Sequence, residues 1–136
     1  MELQVGVKVL LKNGEDEYLL IRRSLKKYPD IEGRWDIVGG RIEIGTPLLD
    51  NLRREIKEET KMDLVGEPRL MAAQDILRSL GRHVVRLTYV GEANGDIELD
   101  PEENDKYQWL TKDELIHHED LDVYFKELLD KGLIEL

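Results

Sequence analysis

The first residues of the chain alternate between apolar side chains and other residue types. This period of two predicts a β-strand, and its apolar positions are Leu3, Val5, Val7, Val9 and Leu11. The Asn13-Gly14 pair that follows is a strong signal for a hairpin turn. We therefore expect a second strand, YLLIRR from Tyr18 to Arg23, to pair with the first.

Further strands are predicted in the middle of the chain, where glycines separate the apolar runs. Trp35 to Val38 forms a short apolar strand, and the Gly39-Gly40 pair is expected to break it. The remaining elements are strands over residues 69–77, 83–89 and 107–110, a short helix with a capping box from Thr111 to Glu114, and a last amphipathic helix that begins near Leu121 and ends near Gly132.

The strongest helix signal lies between residues 46 and 60. Thr46 is a good N-cap residue, and Pro47 occupies the first helical position, where proline is favoured. One face of this helix is apolar and consists of Leu48, Leu49, Leu52 and Ile56. Because helices and strands do not alternate strictly, we expect a single α+β domain over residues 1–136, with a mixed β-sheet between helices.

Composition and charge narrow the function classes. The 136 residues carry a formal net charge of −10, from 30 acidic and 20 basic residues. Such a surface repels nucleic acid and anionic membranes, so we expect neither duplex nucleic acid nor a membrane as a partner.

The absence of cysteine excludes disulfides and thiol nucleophiles and fits a reducing compartment. No apolar run approaches the ~20 residues of a membrane helix, and the N-terminus lacks a signal-peptide pattern, so a cytoplasmic location is expected.

Three glutamates cluster on the predicted helix. Glu55 lies three and four positions before Glu58 and Glu59, so the side chains are neighbours on one helical surface. Magnesium would relieve their repulsion, because it prefers carboxylate oxygens and shares its other positions with phosphates. In a chain with 37% charged residues, the same run could instead be a solvated helix face. Gly39 and Gly40 favour the metal site, since glycine lets backbone approach a ligand closely.

The segment from Gly40 to Met62 resembles the Nudix box, the sequence motif of the Nudix hydrolase family. The motif runs Gly, five residues, Glu, seven residues, Arg-Glu, an apolar residue, any residue, Glu-Glu, any residue, Gly and an apolar residue. Seven of its nine specified positions are in register, at Gly40, Arg54, Glu55, Ile56, Glu58, Glu59 and Met62. The two departures are Thr46 for the first glutamate and Lys61 for the closing glycine.

The resemblance implies an α/β/α sandwich of the Nudix type and hydrolysis of a diphosphate linkage in a nucleotide-like small molecule. Glu55, Glu58 and Glu59, with the Gly39 backbone carbonyl, would hold one or more Mg²⁺ ions, for which Mn²⁺ can substitute. These ions would bridge phosphate oxygens and activate the water that attacks phosphorus. Arg54 would orient the carboxylates through salt bridges.

The resemblance leaves the general base and the substrate open. Either Glu55 or Glu103, in the acidic loop after residue 100, would be the base. Arg23 and the backbone of Gly39 and Gly40 would contact substrate, although for Arg23 alone a surface ion pair is the favoured alternative. Nucleoside triphosphates and ADP-ribose-type compounds are the leading substrate classes by family frequency, and a homodimer is compatible with the resemblance.

Three other functions compete with this interpretation. The departures at Thr46 and Lys61 are compatible with a non-catalytic nucleotide-binding module of the same fold. A structural or interaction domain would use the acids only as a solubilising face. An isomerase of prenyl diphosphates on this fold relies on a cysteine, which the chain lacks, so that function is discounted.

Overall fold

The computed structural model describes residues 1–78 and 80–136, and every predicted strand and helix is present in it with adjusted bounds. The strands are β1 (Glu2–Lys12), β2 (Tyr18–Arg23), β3 (Trp35–Asp36), β4 (Val38–Arg41), β5 (Asp63–Ile76), β6 (Arg82–Asn94) and β7 (Asn104–Leu110). The helices are α1 (Leu48–Thr60), α2 (Lys112–Ile116) and α3 (Val123–Asp130). Within the described part of the chain, no helix combines the length and apolar composition that a membrane span requires.

The strands form one mixed sheet with the order β3-β2-β1-β6-β5. The long strand β1 runs parallel to β6, whereas its pairings with β2 and β4 are antiparallel. The predicted hairpin pairs β1 with β2 only at Lys12 and Tyr18, because β4 takes the neighbouring edge of β1 from Gly6 to Val9. Strand β7 pairs with the other edge of β2.

Two hydrophobic cores lie on opposite faces of this sheet, as the alternation along β1 requires. Val7 and Val9 of β1 pack in the core that contains Leu52 and Ile56 of α1. Leu10 of the same strand packs in the other core, whose helical members come from α2 and α3 and include Leu115, Phe125 and Leu128. The arrangement is a sheet between helices, which confirms the predicted mixed α/β sandwich.

The prediction that Gly39 and Gly40 break a strand is wrong. Both glycines lie inside β4, opposite Lys8 and Val7 of β1, and the interruption falls at Ile37 instead. Gly39 adopts a φ of 144°, and a Cβ at this position would lie 2.0 Å from the Val7 carbonyl oxygen. Glycine is required here because two strands approach closely, which is a known use of glycine within a sheet.

The prediction of Thr46 as the N-cap of α1 is also wrong. Pro47 takes the N-cap position and not the predicted first helical position, so the helix begins at Leu48. Among the described residues, no side chain caps it. The buried Asn51 organises the preceding loop instead, since its Nδ2 donates to the carbonyls of Thr46 and Pro47 at 2.8 and 2.9 Å. Its Oδ1 accepts a hydrogen bond from the Glu43 backbone at 2.9 Å.

The other helix ends follow standard capping chemistry. The capping box predicted at Thr111 and Glu114 is confirmed at the start of α2. Asp122 caps α3 by accepting hydrogen bonds from two backbone amides, and Gly132 lies after its end with a φ of 65°. Helix α1 ends at Lys61, which adopts a left-handed conformation with a φ of 66°. Lysine therefore occupies a backbone geometry that favours glycine.

Strands β5 and β6 are longer than the sequence pattern predicts. Predicted bounds of 69–77 and 83–89 become Asp63–Ile76 and Arg82–Asn94. The pairing of β5 with β6 shifts register between Val65 and Arg69 and again between Leu70 and Ala72. Such irregularities interrupt the period-two alternation on which the prediction depended.

Candidate functional site: an acidic and a basic cavity share strand β4

The three box glutamates lie on the part of α1 that faces β4. Glu55 is buried, Glu59 is half-buried, and the Glu58 side chain is 59% exposed. They line a cavity of about 620 Å³ together with acids from the segment between β6 and β7. The carboxylates of this acidic cavity are Glu55, Glu58, Glu59, Glu98, Asp100 and Glu103.

Glu59 contacts the backbone of β4 directly. The Gly39 amide donates a hydrogen bond to Glu59 Oε2 at 3.1 Å. Burial raises the pKa of Glu59 to about 7, although the positive charge of Lys8 and this hydrogen bond oppose the shift. The charged form of Glu59 is therefore poorly solvated and would be stabilised by a nearby cation.

Glu55 packs against the second glycine of β4. A Cβ on Gly40 would lie 2.8 Å from Glu55 Oε2, so only glycine leaves room for this carboxylate. Burial raises the pKa of Glu55, and the positive charge of Arg54 partly opposes that rise. The glycine pair therefore has two separate uses, one as a hydrogen-bond donor to Glu59 and one as space for Glu55.

Arg54 links the carboxylates of the box. Its Nη1 donates to Glu55 Oε1 at 2.9 Å and to Glu58 Oε2 at 3.4 Å. Its Nη2 donates to Asn51 Oδ1 at 3.1 Å and to the Arg41 carbonyl at 3.3 Å. In this arrangement the guanidinium group lies against Glu55 and Glu58. Among the residues that the structure describes, no three acid or histidine side chains are grouped to hold a metal ion.

The chemistry of the acidic cavity nevertheless fits a hard divalent cation. All of its charged groups except Lys61 are carboxylates, whose oxygens are the ligands that Mg²⁺ prefers. Burial disfavours the charged forms of Glu55 and Glu59, and a cation would remove that cost. Rotation of Glu58 away from Arg54 would be required, and its exposure leaves it free to rotate.

Glu103, the predicted alternative base, lies on the far wall of the acidic cavity. Its Oε1 forms an ion pair with Lys27, and its Oε2 accepts a hydrogen bond from the Tyr28 hydroxyl at 2.8 Å. These two hydrogen bonds lower the pKa of Glu103. The structure therefore places Glu103 near the box glutamates but holds its carboxylate with partners of its own.

A second cavity has a volume of about 720 Å³ and is lined in part by β4. The predicted substrate residues Arg23, Gly39 and Gly40 all line it. Its cationic side chains are Lys8, Arg23, Arg41, Arg78 and Arg86, and we call it the basic cavity. Gly39 and Gly40 line this cavity and also contact Glu59 and Glu55 of the acidic cavity, so the glycine pair lies next to both.

Three cations of the basic cavity share one buried acceptor, Asp36, which is only 1% exposed. Its Oδ2 accepts hydrogen bonds from Lys8 at 3.0 Å and from Arg23 at 2.9 Å, and its Oδ1 accepts one from Arg86 at 3.2 Å. Burial opposes ionisation, but these three cations hold the pKa of Asp36 well below its usual range. Arg86 also donates to Asp122, the cap of α3, at 3.0 Å.

Sequence reasoning missed most of this network. The sequence pattern does not single out Asp36, and the surface ion pair considered for Arg23 is instead a pair with this buried carboxylate. Lys8 and Arg86 were not singled out, although each is a lone charged residue in an otherwise apolar strand segment. A charge inside an apolar strand is the signal that could have identified them.

Comparison with known proteins identifies the family. The NUDIX domain model matches residues 2–131, which is nearly the whole chain. The chain belongs to the Nudix family. The family's members are typically pyrophosphohydrolases, and the Nudix hydrolase resemblance of the box is confirmed at this level.

Solved Nudix structures share the fold. A MutT Nudix hydrolase from Burkholderia pseudomallei has a TM-score of 0.80 and 24% identity, covering 96% of this chain and 98% of that one. A MutT protein from Methanosarcina mazei Go1 has a TM-score of 0.78 and 24% identity, covering 95% of this chain and 91% of that one. At these identities the likeness shows the fold alone.

One curated relative matches part of the chain. The m7GpppN-mRNA hydrolase NUDT17 of Danio rerio is 41% identical over 64 residues, which are 46% of this chain. The match spans 20% of that relative's length. The relative's activity therefore bears on this chain only as a hypothesis.

Proposed function

We propose that this Nudix protein hydrolyses a diphosphate linkage in a small nucleotide substrate, a nucleoside triphosphate or an ADP-ribose-type compound, with Mg²⁺ as cofactor. The observation that supports this proposal most directly is the position of β4. The Gly39-Gly40 backbone lines the cavity of cations and contacts two carboxylates of the acidic cavity. A diphosphate lying across these glycines would have a divalent-cation site on one side and basic side chains on the other.

Glu55, Glu58 and Glu59, with the Gly39 carbonyl, are the proposed metal ligands, and Mn²⁺ is an alternative ion. When bound, the divalent ion supplies positive charge to phosphate oxygens and lowers the pKa of water. Arg54 is proposed to position the ligands, because it already contacts Glu55 and Glu58. If the ion replaced Arg54 as the partner of both glutamates, Arg54 would keep its hydrogen bonds to Asn51 and to the Arg41 carbonyl.

Glu55 is favoured over Glu103 as the general base. A base must accept a proton, and its efficiency is greatest when its pKa lies near the working pH. The hydrogen bonds from Lys27 and Tyr28 occupy the Glu103 carboxylate and lower its pKa. Glu103 would have to give up both partners before it could take a proton.

A substrate panel with product identification tests the proposal. Nucleoside triphosphates, ADP-ribose, dinucleoside polyphosphates and a cap dinucleotide are incubated with Mg²⁺ or with EDTA, and products are identified by mass. We expect cleavage of a diphosphate linkage in Mg²⁺ alone, with most turnover lost in Glu59→Gln. Glu67→Gln, an exposed glutamate outside both cavities, is the matched control and should retain full activity. Turnover that survives EDTA, or is unchanged in Glu59→Gln, would contradict the proposal.

A catalytically weak nucleotide-binding module is the second candidate. Two observations favour it: Lys61 brings a positive charge to the acidic cavity, and Arg54 lies against two of the three ligands. Nucleotide binding without product formation under any metal condition would identify this function. A homodimer and a cytoplasmic location stay predictions.

A further inference from the structure

Gly6 lines the basic cavity and leaves space in it, because glycine has no side chain. It lies in the middle of β1 and lines the cavity, although glycine within a strand sacrifices side-chain packing. A Cβ at Gly6 would meet only the Gly40 carbonyl oxygen at 3.7 Å and Arg41 Cδ at 3.9 Å, which are ordinary contacts. The strand itself could therefore accept a side chain here. The missing side chain leaves room for a ligand group next to Arg41.

The inner cations of the cavity already have anionic partners. Lys8, Arg23 and Arg86 share Asp36, and Arg86 also pairs with Asp122. The charges of these three side chains are therefore largely compensated within the protein.

The outer cations of the cavity have no carboxylate partner. Within residues 1–78 and 80–136, neither Arg41 nor Arg78 has an acidic group within the 4.0 Å that defines an ion pair. Burial lowers the pKa of Arg41, and repulsion from Arg82 lowers it further, while Glu2 partly opposes this repulsion. Arg78 lies 5.9 Å from the ring centre of Tyr124, on the α3 wall of the cavity.

Besides Asp122, two further acids line the basic cavity. Asp30 and Glu32 belong to the loop between β2 and β3 and are exposed to solvent. Neither forms an ion pair with Arg41 or Arg78 in the described structure. In a protein of net charge −10, two exposed arginines without an ion pair in the described structure therefore line the same cavity.

We propose that Arg41 and Arg78 form an anion subsite for a phosphate that is separate from the diphosphate linkage. The nucleoside part of the substrate, which lies over Gly6, would carry this phosphate. This inference rests on the proposed function for the orientation of the substrate. This subsite would favour substrates whose nucleoside part bears an additional phosphate monoester over substrates whose nucleoside part bears none. Arg41 and Arg78 are the specificity-determining residues.

Calorimetric binding of two nucleotides tests the subsite independently of turnover. Adenosine 3′,5′-bisphosphate and 5′-AMP differ by one phosphate, and neither contains a diphosphate linkage, so Mg²⁺ can be present without hydrolysis. We expect the bisphosphate to bind on the order of tenfold more tightly, since each charge-assisted contact to phosphate is strong. Arg41→Gln and Arg78→Gln should each remove most of this preference while changing AMP affinity by less than about twofold.

Arg69→Gln is the matched control. Arg69 is an exposed arginine of β5 outside the cavity, and its substitution changes the net charge by the same amount. Equal affinity of wild-type protein for the two nucleotides would overturn the subsite, as would a preference that Arg69→Gln reduces as much as Arg41→Gln. A tenfold preference in a protein that hydrolyses nothing would support the subsite and contradict the proposed function, so the two failures are distinguishable.

Discussion

Replacement of Asp36 by asparagine should destabilise the fold more than any surface charge change. Asp36 is 1% exposed and is the common acceptor for Lys8, Arg23 and Arg86 at 3.0, 2.9 and 3.2 Å. Asparagine keeps the shape but removes the negative charge, so three cations lose their shared partner. Breaking a buried ion pair by removing one member costs about 3–5 kcal/mol. We expect a loss in this range for Asp36→Asn.

Urea denaturation at pH 7 measures this loss as a change in the free energy of unfolding. Asp105→Asn is the matched control, because Asp105 also pairs with an arginine, at 2.7 Å from Arg22, but both side chains are partly solvated. Exposed ion pairs contribute up to about 1 kcal/mol. If Asp36→Asn costs no more than Asp105→Asn, the buried network does not hold the cavity together and the reasoning fails.

Three further predictions follow from single positions. Gly6→Ala should raise the melting temperature and weaken nucleotide binding, because a Cβ makes only ordinary contacts in the strand but takes up space in the basic cavity; unchanged nucleotide affinity would show that the cavity is not used. Lys61→Gly should stabilise the protein by about 0.5–1 kcal/mol in urea titrations, because lysine is strained at a φ of 66°, and any loss of stability would contradict this. The pKa of Glu59 is raised from 4.5 to about 7 in the folded protein, so this carboxyl favours the folded state only while it is protonated. Without metal, the free energy of unfolding should therefore fall by up to about 3 kcal/mol as pH rises from 4.5 to about 7. Glu59→Gln should remove that fall, and a slope that persists in this variant would refute its assignment to Glu59.

The helix of the Nudix box could be predicted because its signals are local. Glu55, Glu58 and Glu59 are neighbours through the helical repeat alone, and the structure places all three on one cavity. The residue at which α1 ends could be predicted, but the left-handed backbone conformation that follows it could not. Lys61 adopts the left-handed conformation because the chain must turn into β5, whichever residue is present.

The strand glycines show why the same residue type has two interpretations. In sequence, Gly39-Gly40 looks like a turn, since glycine is common where strands end. In the structure, the glycines allow β4 to lie against β1 and leave room for Glu55. The partner that requires a glycine is distant in sequence, so local pattern alone cannot distinguish a turn from a close approach.

The basic cavity could not be predicted for a related reason. Asp36 contacts Lys8 across 28 residues and Arg86 across 50. Those contacts depend on the parallel pairing of β1 with β6, which sets Gly6 opposite Arg86. Strand order determines which charges meet, and the sequence pattern predicts strands more reliably than their order.

Binding of Mn²⁺, followed by the loss of the free-ion paramagnetic resonance signal, tests the central claim most directly. Wild-type protein and the exposed-site control Glu67→Gln should bind the ion with equal affinity. Glu59→Gln should bind at least about tenfold more weakly, because a carboxylate that contacts Gly39 is lost. If Glu59→Gln bound Mn²⁺ as tightly as the wild type, the carboxylates of α1 would not be the metal site.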